Sequence, residues 1–109
     1  MEKRKPHFLL KDVKLLIEKN LCTLTETARQ TAHSIGFSDT EAMEVVGGLE
    51  PKDFYKSMTD HYNSTAWQDV YKKRVDDIHL YIKLKISQVE GQWVLLLSFK
   101  RDESAGEKS

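Results

Sequence analysis

The clearest pattern along this chain is an alternation in its last third. Apolar residues recur at every second position over residues 80–86 and again over residues 93–100, although residues 93–97 are all apolar, and Glu90 and Gly91 lie between the two runs. Alternation with a period of two is typical of half-buried strands, and a Glu-Gly pair between such runs favours a tight turn. The pattern therefore predicts a β-hairpin with one face buried in a core.

A two-residue loop would fix the register of this hairpin and so decide which side chains are neighbours. On the core face, three apolar pairs are expected: Ile86 with Leu95, Leu84 with Leu97, and Ile82 with Phe99. On the opposite face, three further pairs are expected: Lys85 with Leu96, Lys83 with Ser98, and Tyr81 with Lys100. Lysine, tyrosine and serine side by side suit an anionic ligand better than they suit burial.

Helical spacing replaces the alternation in the first half of the chain. Leu9, Val13 and Leu16 recur at intervals of four and three residues, which indicates one apolar face. An amphipathic helix is therefore expected from about Leu9 to Lys19, with its end near Asn20.

Two capping patterns predict two more helices. Residues 23–26 read Thr-Leu-Thr-Glu, a capping box in which Thr23 and Glu26 satisfy otherwise unpaired backbone amides, and Gly36 would end the helix that follows. Residues 38–41 repeat the device, and the pair of glycines at residues 47–48 would end the third helix. The first half of the chain is therefore expected to be helical.

The middle of the chain favours further strands. Pro51 favours a short helical turn, and residues 54–59 and 67–71 are rich in aromatic and β-prone residues, with a polar loop at residues 60–66 between them. Helices followed by a run of strands indicate an α+β domain. We expect N-terminal helices packed on a C-terminal antiparallel sheet.

Length and composition indicate one domain. A chain of 109 residues can bury a core without disulfides or metals. We expect a single domain over residues 1–100, followed by a solvated, mobile, charged tail over residues 101–109, which contain no large apolar side chain.

The single cysteine, Cys22, excludes an intrachain disulfide, and a reducing cytoplasm fits best. The basic residues at the start are followed by no apolar stretch long enough for an export signal, and no membrane span is predicted. The four histidines have no ligand spacing, so we predict no metal site and no cofactor. Because 17 basic residues balance 17 acidic ones, bulk charge gives no argument for nucleic acid, and any such argument must be local.

Six short blocks of residues carry a resemblance to a known family. They lie in order at residues 1–7 (Met-Glu-Lys-Arg, then Pro-His), 48–49, 53–59, 67–71, 81–83 and 98–100. In these blocks the chain resembles the mRNA-cleaving toxins of bacterial toxin-antitoxin systems called motility quorum-sensing regulators, which are relatives of the RelE-like toxins. The resemblance covers about residues 1–100 and implies a RelE-like fold.

The resemblance implies an endoribonuclease whose catalytic residues fall on Lys56, Gln68 and Tyr81. Such toxins are understood to cut single-stranded mRNA without a metal, by attack of a 2′-hydroxyl on the adjacent phosphate. Lys56 suits stabilisation of the phosphorane oxygens, and Tyr81 suits proton transfer, contributions that are typically worth about 10²- to 10³-fold and about 10²- to 10⁴-fold. Gln68 can orient a phosphate or a hydroxyl but cannot act as acid or base.

Four further residues are expected to contact the RNA. The hairpin register places Lys100 across from Tyr81, where its charge would favour the ionised phenol. Lys83 and Ser98 share that face, and His7 lies in the first matched block. Lys56 is expected to act as a cation rather than as a base, because a lysine base at neutral pH needs a strongly lowered pKa.

The resemblance also implies a partner. A cognate antitoxin with a zinc-binding segment and a helix-turn-helix domain is expected to neutralise the toxin, and any contact with DNA would be made by that antitoxin. Two alternatives stay open at this point. The chain could be a toxin of the same scaffold that binds a protein target, as relatives that act on gyrase do, or a catalytically silent co-repressor.

Overall fold

The computed structural model describes residues 1–59 and 66–103. Within them, three α-helices are present: α1 (Leu10–Glu18), α2 (Glu26–Ser34) and α3 (Asp39–Gly47), and a short 3₁₀ turn spans Pro51–Asp53. The strands are β1 (Glu2–Lys3), β2 (Cys22–Leu24), β3 (Phe54–Thr59), β4 (Trp67–Val75), β5 (Ile78–Val89) and β6 (Gln92–Arg101). None of the helices in this part of the chain is long and apolar enough to cross a membrane.

The strands form one sheet in the order β1-β3-β4-β5-β6-β2. The α+β class is therefore confirmed. All neighbouring strands are antiparallel except β2, which runs parallel to β6, so the sheet is mixed and the expectation of a wholly antiparallel sheet is wrong. Strand β2 has only three residues, too few for an alternating pattern to show.

The helix expected after residue 25 is present, but its cap differs from the prediction. Thr25 is the N-cap, and its hydroxyl accepts a hydrogen bond from the backbone N–H of Ala28 at 3.1 Å. Thr23 lies in β2 instead, paired with Leu96. Thr23 and Thr25 are both suitable N-cap residues, so the sequence leaves the start of the helix ambiguous. The pairing of Thr23 within β2 leaves Thr25 as the N-cap.

The hairpin prediction is confirmed in every pair. β5 and β6 pair in the expected register, including Tyr81 with Lys100 and Ile82 with Phe99. Glu90 and Gly91 both have positive φ, 53° and 79°, the backbone of the turn that best matches the twist of paired strands. The two-residue turn and the alternation of side chains specify the same register for this hairpin.

The first and third helices also end as predicted. Asn20, just beyond α1, has a φ of 59°, a conformation that asparagine tolerates better than most residues. At the start of α3, Ser38 and Glu41 form a reciprocal capping box, with N–H···O distances of 3.1 and 3.0 Å. Gly48 caps its other end.

Helices and strands contribute to a single hydrophobic core. Val13, Ala32 and Val46 from the three helices belong to the same buried cluster as Ile82 and other core-face residues of the hairpin. Cys22 packs against this cluster, and burial raises the pKa of its thiol to about 11. The core therefore occupies one face of β5 and β6 and leaves the other face free for different side chains.

The expected boundaries differ from the structure at both ends of the sheet. β4 continues to Val75, beyond the expected end at residue 71, and β1 adds a two-residue edge strand that no pattern predicts. β6 includes Arg101, and Asp102 is buried, so the folded part extends into the expected tail. Residues 104–109 of that tail and residues 60–65 of the expected loop lie outside the described residues.

A buried carboxylate fastens the N-terminal segment to the sheet. Asp69 on β4 is fully buried and accepts hydrogen bonds from the backbone N–H groups of His7 (3.0 Å) and Phe8 (2.9 Å). The Ser57 hydroxyl donates to the same carboxylate at 2.7 Å. These hydrogen bonds replace the ones that the carboxylate would make with water if it were exposed, and so offset the cost of burying it.

We predict that Asp69→Asn lowers the free energy of unfolding by about 3 kcal/mol, because an amide N–H₂ would replace one of the two carboxylate oxygens that accept from the backbone N–H groups of His7 and Phe8 and from the Ser57 hydroxyl. Urea denaturation measures the loss. Asp77→Asn is the matched control: the side chain of Asp77 is 99% exposed, and its ion pair with Arg74 lies at the surface. The control should stay within about 0.5 kcal/mol of the unmodified protein. Equal effects in the two variants would contradict this account of Asp69.

Candidate functional site

The sheet has a polar face, opposite the core, that carries most of the predicted site residues. Cross-strand partners share a face, so the register arranges these residues in rows across the sheet. The middle row consists of Lys56, Val70, Lys83 and Ser98 on β3 to β6. The row on one side consists of Lys72, Tyr81 and Lys100, and the row on the other side includes Met58 and Gln68.

Val70 is the apolar centre of the polar face. It is fully buried, although it does not belong to the hydrophobic cluster of the core. Its cross-strand partners are Lys56 on β3 and Lys83 on β5, so long lysine side chains flank it on both sides. The aliphatic parts of lysines can cover an apolar residue while their ammonium groups stay in water.

The structure brings Tyr81 and Lys100 together as predicted. They are directly paired across the hairpin, and the Lys100 Nζ atom lies 5.1 Å from the centre of the Tyr81 ring. Lys100 is exposed and Tyr81 is half-buried. The phenol therefore has an ammonium neighbour and access to solvent.

Lys72 is a site residue that the sequence analysis missed. It pairs with Tyr81 from the β4 side, and its Nζ atom lies 4.1 Å from the centre of the Tyr55 ring and 5.9 Å from that of Tyr81. It also forms an ion pair with the Asp102 carboxylate at 3.3 Å. Extending the alternation of β4 past residue 71 would have placed Lys72 beside Tyr81.

Lys56 is held by a carboxylate that was also missed. Its Nζ atom lies 2.7 Å from Glu2 Oε2, and its side chain is only 19% exposed. The hydrogen bond that Lys56 donates to the Glu2 carboxylate raises the pKa of Lys56, and the same bond lowers the pKa of the Glu2 carboxyl. Lys56 is therefore an ammonium at neutral pH, in agreement with a role as a cation and not as a base.

Tyr55 contributes an exposed aromatic ring next to these cations. The register of β3 shifts between Phe54 and Lys56, and this bulge is where Tyr55 lies. Bulges redirect side chains at the edge of a sheet. The Lys56 Nζ atom lies 5.4 Å from the ring centre, so the ammonium groups of Lys56 and Lys72 both approach Tyr55.

Gln68 lies on the polar face but in a different row from Tyr81. It is two residues from Val70, the partner of Lys56, which places it diagonally next to Lys56 at about 7–8 Å between Cα atoms. It is four residues from Lys72, or about 13 Å along the strand. The row that contains Lys56 therefore lies between the row of Gln68 and the row of Tyr81.

His7 does not lie on the polar face. Its ring stacks on Trp67 with 5.6 Å between ring centres, and its backbone N–H bonds the buried carboxylate of Asp69 on the core side of β4. The Lys3 Nζ atom lies 3.0 Å from His7 Nδ1 and 4.2 Å from the centre of the Trp67 ring. The structure thus separates His7 from Tyr81 by the thickness of the sheet, and its contact with RNA stays a prediction.

The polar face concentrates positive charge around one phenol, that of Tyr81. Lys72 and Lys100 flank Tyr81 on the two neighbouring strands, and Lys56, Lys83 and Ser98 lie in the adjoining row. Several ammonium groups around a phenol suit a phosphate whose charge increases during a reaction. Among the described residues, no group of three or more metal-binding side chains is close enough to hold an ion.

Comparison with known proteins yields two matches. Residues 5–101 match the family described as motility quorum-sensing regulator, toxin of MqsA. The chain is also 38% identical over 100 residues to the mRNA interferase toxin MqsR of Escherichia coli strain K12, an alignment that covers 92% of this chain and 98% of that protein. The family match includes Lys56, Lys72, Tyr81 and Lys100, and it begins after Glu2.

We predict that Glu2→Gln tightens binding of a short single-stranded oligoribonucleotide about two- to fivefold at low salt, because the neutral amide no longer competes with a phosphate for the Lys56 ammonium; the gain is small because the Glu2 carboxylate is 55% exposed and its attraction is screened by solvent. Fluorescence anisotropy measures the change. Glu44→Gln, at an exposed position on α3, makes the same change in net charge away from the site and should have no effect. Weaker binding by the Glu2 variant would show instead that the carboxylate is needed to position Lys56.

Proposed function

The chain belongs to the motility quorum-sensing regulator family of toxins, and we propose that it is an mRNA interferase: an endoribonuclease toxin that cuts single-stranded mRNA. The observation that carries this proposal is the cluster of ammonium groups on the polar face: Lys72 and Lys100 flank Tyr81, and Lys56 lies in the adjoining row. RNA supplies both partners for such a group, a phosphodiester anion and a 2′-hydroxyl.

The proposed reaction is attack of the 2′-hydroxyl oxygen on the adjacent phosphorus atom, with departure of the 5′-oxygen. The products are a 2′,3′-cyclic phosphate and a 5′-hydroxyl. The phosphorane that forms carries more negative charge on its oxygens than the phosphodiester does. Lys56, Lys72 and Lys100 are the groups that stabilise this charge, and ammonium groups fixed in advance by their neighbours lose little energy in reorganisation.

Tyr81 is the proposed proton-transfer group. It is the ionisable side chain, other than the lysines, that lies in the row between Lys72 and Lys100. A phenol can receive the 2′ proton when ionised, and it can donate to the 5′-oxygen when neutral.

Gln68 is assigned to orientation rather than to chemistry. Its amide donates and accepts hydrogen bonds but does not exchange a proton at neutral pH. Its position, one row beyond Lys56, suits contact with the nucleotide next to the cut linkage. Lys83 and Ser98 lie in the same row as Lys56, on β5 and β6, where they suit contacts to the same stretch of RNA backbone.

We also propose that a cognate antitoxin neutralises the protein, with the zinc-binding and DNA-binding parts belonging to that partner. The family description, a toxin of MqsA, supports this. Neutralisation requires that the partner either cover the polar face or prevent RNA from reaching it. Growth arrest on expression of the chain alone, relieved by coexpression of the antitoxin, is the corresponding cellular readout.

We predict that the purified protein cuts an unstructured RNA in the presence of a chelator and leaves cyclic-phosphate ends. Tyr81→Phe and Lys56→Ala should each lower the rate by about 10²-fold or more, because they remove proton transfer and charge stabilisation respectively. Both residues lie on the polar face, so the melting temperature should change by less than about 4 °C. Cleavage is followed by gel electrophoresis, and the ends are identified by mass spectrometry.

Two variants serve as matched controls. Tyr71→Phe removes a phenol oxygen on the core side of β4, where burial raises the pKa of Tyr71 to about 12. Lys52→Ala removes an exposed ammonium in the 3₁₀ turn. Both should retain cleavage. If the unmodified protein leaves RNA intact but still arrests growth, the result would instead favour a toxin that binds a protein target. If it neither cuts RNA nor arrests growth, the result would favour a silent co-repressor.

A further inference from the structure

The cations of the polar face continue along β5 beyond the proposed reaction site. Tyr81, Lys83 and Lys85 are alternate residues of β5, so all three lie on the polar face, and we call them the β5 track. Lys83 and Lys85 are half-buried, as expected of lysines whose aliphatic stems lie on a sheet while their ammonium groups reach water. Positive charge therefore extends from Tyr81 toward the turn of the hairpin.

The spacing of the β5 track matches the repeat of an extended RNA strand. Alternate residues of an antiparallel strand are about 6.8 Å apart. One nucleotide contributes as many backbone bonds as two amino-acid residues do, so an extended sugar-phosphate chain advances by a similar distance from one phosphate to the next. An RNA strand that lies along β5 can therefore place successive phosphates beside successive residues of the track.

We propose that the RNA lies along β5 in this register, with the reacting phosphate at Tyr81, the next phosphate at Lys83 and the one after it at Lys85. The inference rests on the proposed function. It adds the path of the substrate over the sheet, and it adds Lys85 as a contact to a phosphate two linkages from the cut.

Lys56 belongs to the reacting phosphate, although it shares a row with Lys83. Its Nζ atom lies 5.4 Å from the centre of the Tyr55 ring, and the Nζ atom of Lys72 approaches the same ring at 4.1 Å. The two ammonium groups thus lie near one ring, beside the reaction site. Lys83 and its partner Ser98 serve the next phosphate, to which an ammonium and a hydroxyl can both donate.

Acidic residues oppose a path in the other direction along β5. Beyond Tyr81 on that side, His79 pairs with Arg74, and the Arg74 guanidinium is already 3.3 Å from the Asp77 carboxylate. Asp102 lies there as well, because its backbone N–H donates to the carbonyl oxygen of His79 at 2.7 Å. A phosphate placed at this end would meet two carboxylates.

The end of the face toward Lys85 offers a more favourable environment. The cross-strand partners of Lys83 and Lys85 on β4 and β6 are all uncharged: Val70, Ser98 and Leu96. A polyanion that leaves the reaction site therefore gains more from this direction than from the one that leads to His79.

The test neutralises one phosphate at a time in an RNA that the protein binds but cannot cut. The cut linkage of a short RNA is first mapped with the unmodified protein, and its 2′-hydroxyl is then replaced by a 2′-methoxy group. Uncharged methylphosphonate linkages are placed singly at the first, second and third linkage on each side of the cut. Affinity is measured by fluorescence anisotropy at several salt concentrations.

Lys83→Met and Lys85→Met each remove one ammonium group and keep an unbranched apolar stem. Each should weaken binding of the fully charged RNA about threefold or more at low salt, and each should lower the slope of log affinity against log salt by about 0.7, the value for one phosphate contact to a single strand. In the unmodified protein, a neutral linkage at the first or second position on one side of the cut should cost a similar factor.

The register is read from the combination of variant and linkage. Lys83→Met should be insensitive to the neutral linkage at the first position and still sensitive at the second, whereas Lys85→Met should show the reverse. Sensitivity at the other linkage also shows that each variant is folded. Lys11→Met makes the same change in net charge at an exposed position on α1, which packs on the core face, and should behave as the unmodified protein does.

The outcomes separate the two proposals. If the unmodified protein cuts no RNA, the proposed function fails, and this inference fails with it. If it cuts RNA but both lysine variants lose sensitivity at the same linkage, or at linkages on opposite sides of the cut, the nuclease stands and the register is wrong. Lysine variants that stay equally sensitive to every neutral linkage would show a general effect of charge and would also overturn the register.

Discussion

The register of the β5–β6 hairpin is the constraint on which the rest of the structure depends. Its apolar face is committed to the core through Ile82, Leu84 and Leu97, all essentially buried. A shift of one residue would exchange the two faces and expose that entire set to water. The same constraint therefore holds Tyr81 opposite Lys100 on the polar face, so the geometry of the proposed site is a by-product of core burial.

The sequence predicts the local part of this arrangement and misses the part made by distant residues. Alternation and turn chemistry are local signals, and they are sufficient for the hairpin and for the Tyr81–Lys100 pair. Lys72 needs the full length of β4, which runs past the predicted end. Glu2 and Asp102 lie near opposite ends of the sequence: Glu2 belongs to the two-residue edge strand β1, and Asp102 directly follows β6. Both segments are too short for a periodic pattern that would have predicted their contacts with Lys56 and Lys72.

The charge balance of the chain hides a local asymmetry. The whole sequence is neutral, yet the polar face gathers several lysines, and the nearest carboxylates pair with two of them: Glu2 with Lys56 and Asp102 with Lys72. Such pairs hold ammonium groups in place in the absence of RNA. A phosphodiester must then exchange with a carboxylate rather than fill an empty site, which moderates affinity for polyanions in general and leaves discrimination to finer contacts.

The two faces of β4 separate a contact that holds the fold together from the residues proposed to bind RNA. Asp69 bonds the N-terminal segment on one side, while Gln68 and Val70, its immediate neighbours, lie on the other. Substitutions at exposed positions of the polar face can accordingly change ligand contacts at little cost in stability. Insertion or deletion of one residue within this strand is different, since it exchanges the two sides beyond that point unless a bulge, such as the one at Tyr55 in β3, absorbs the change.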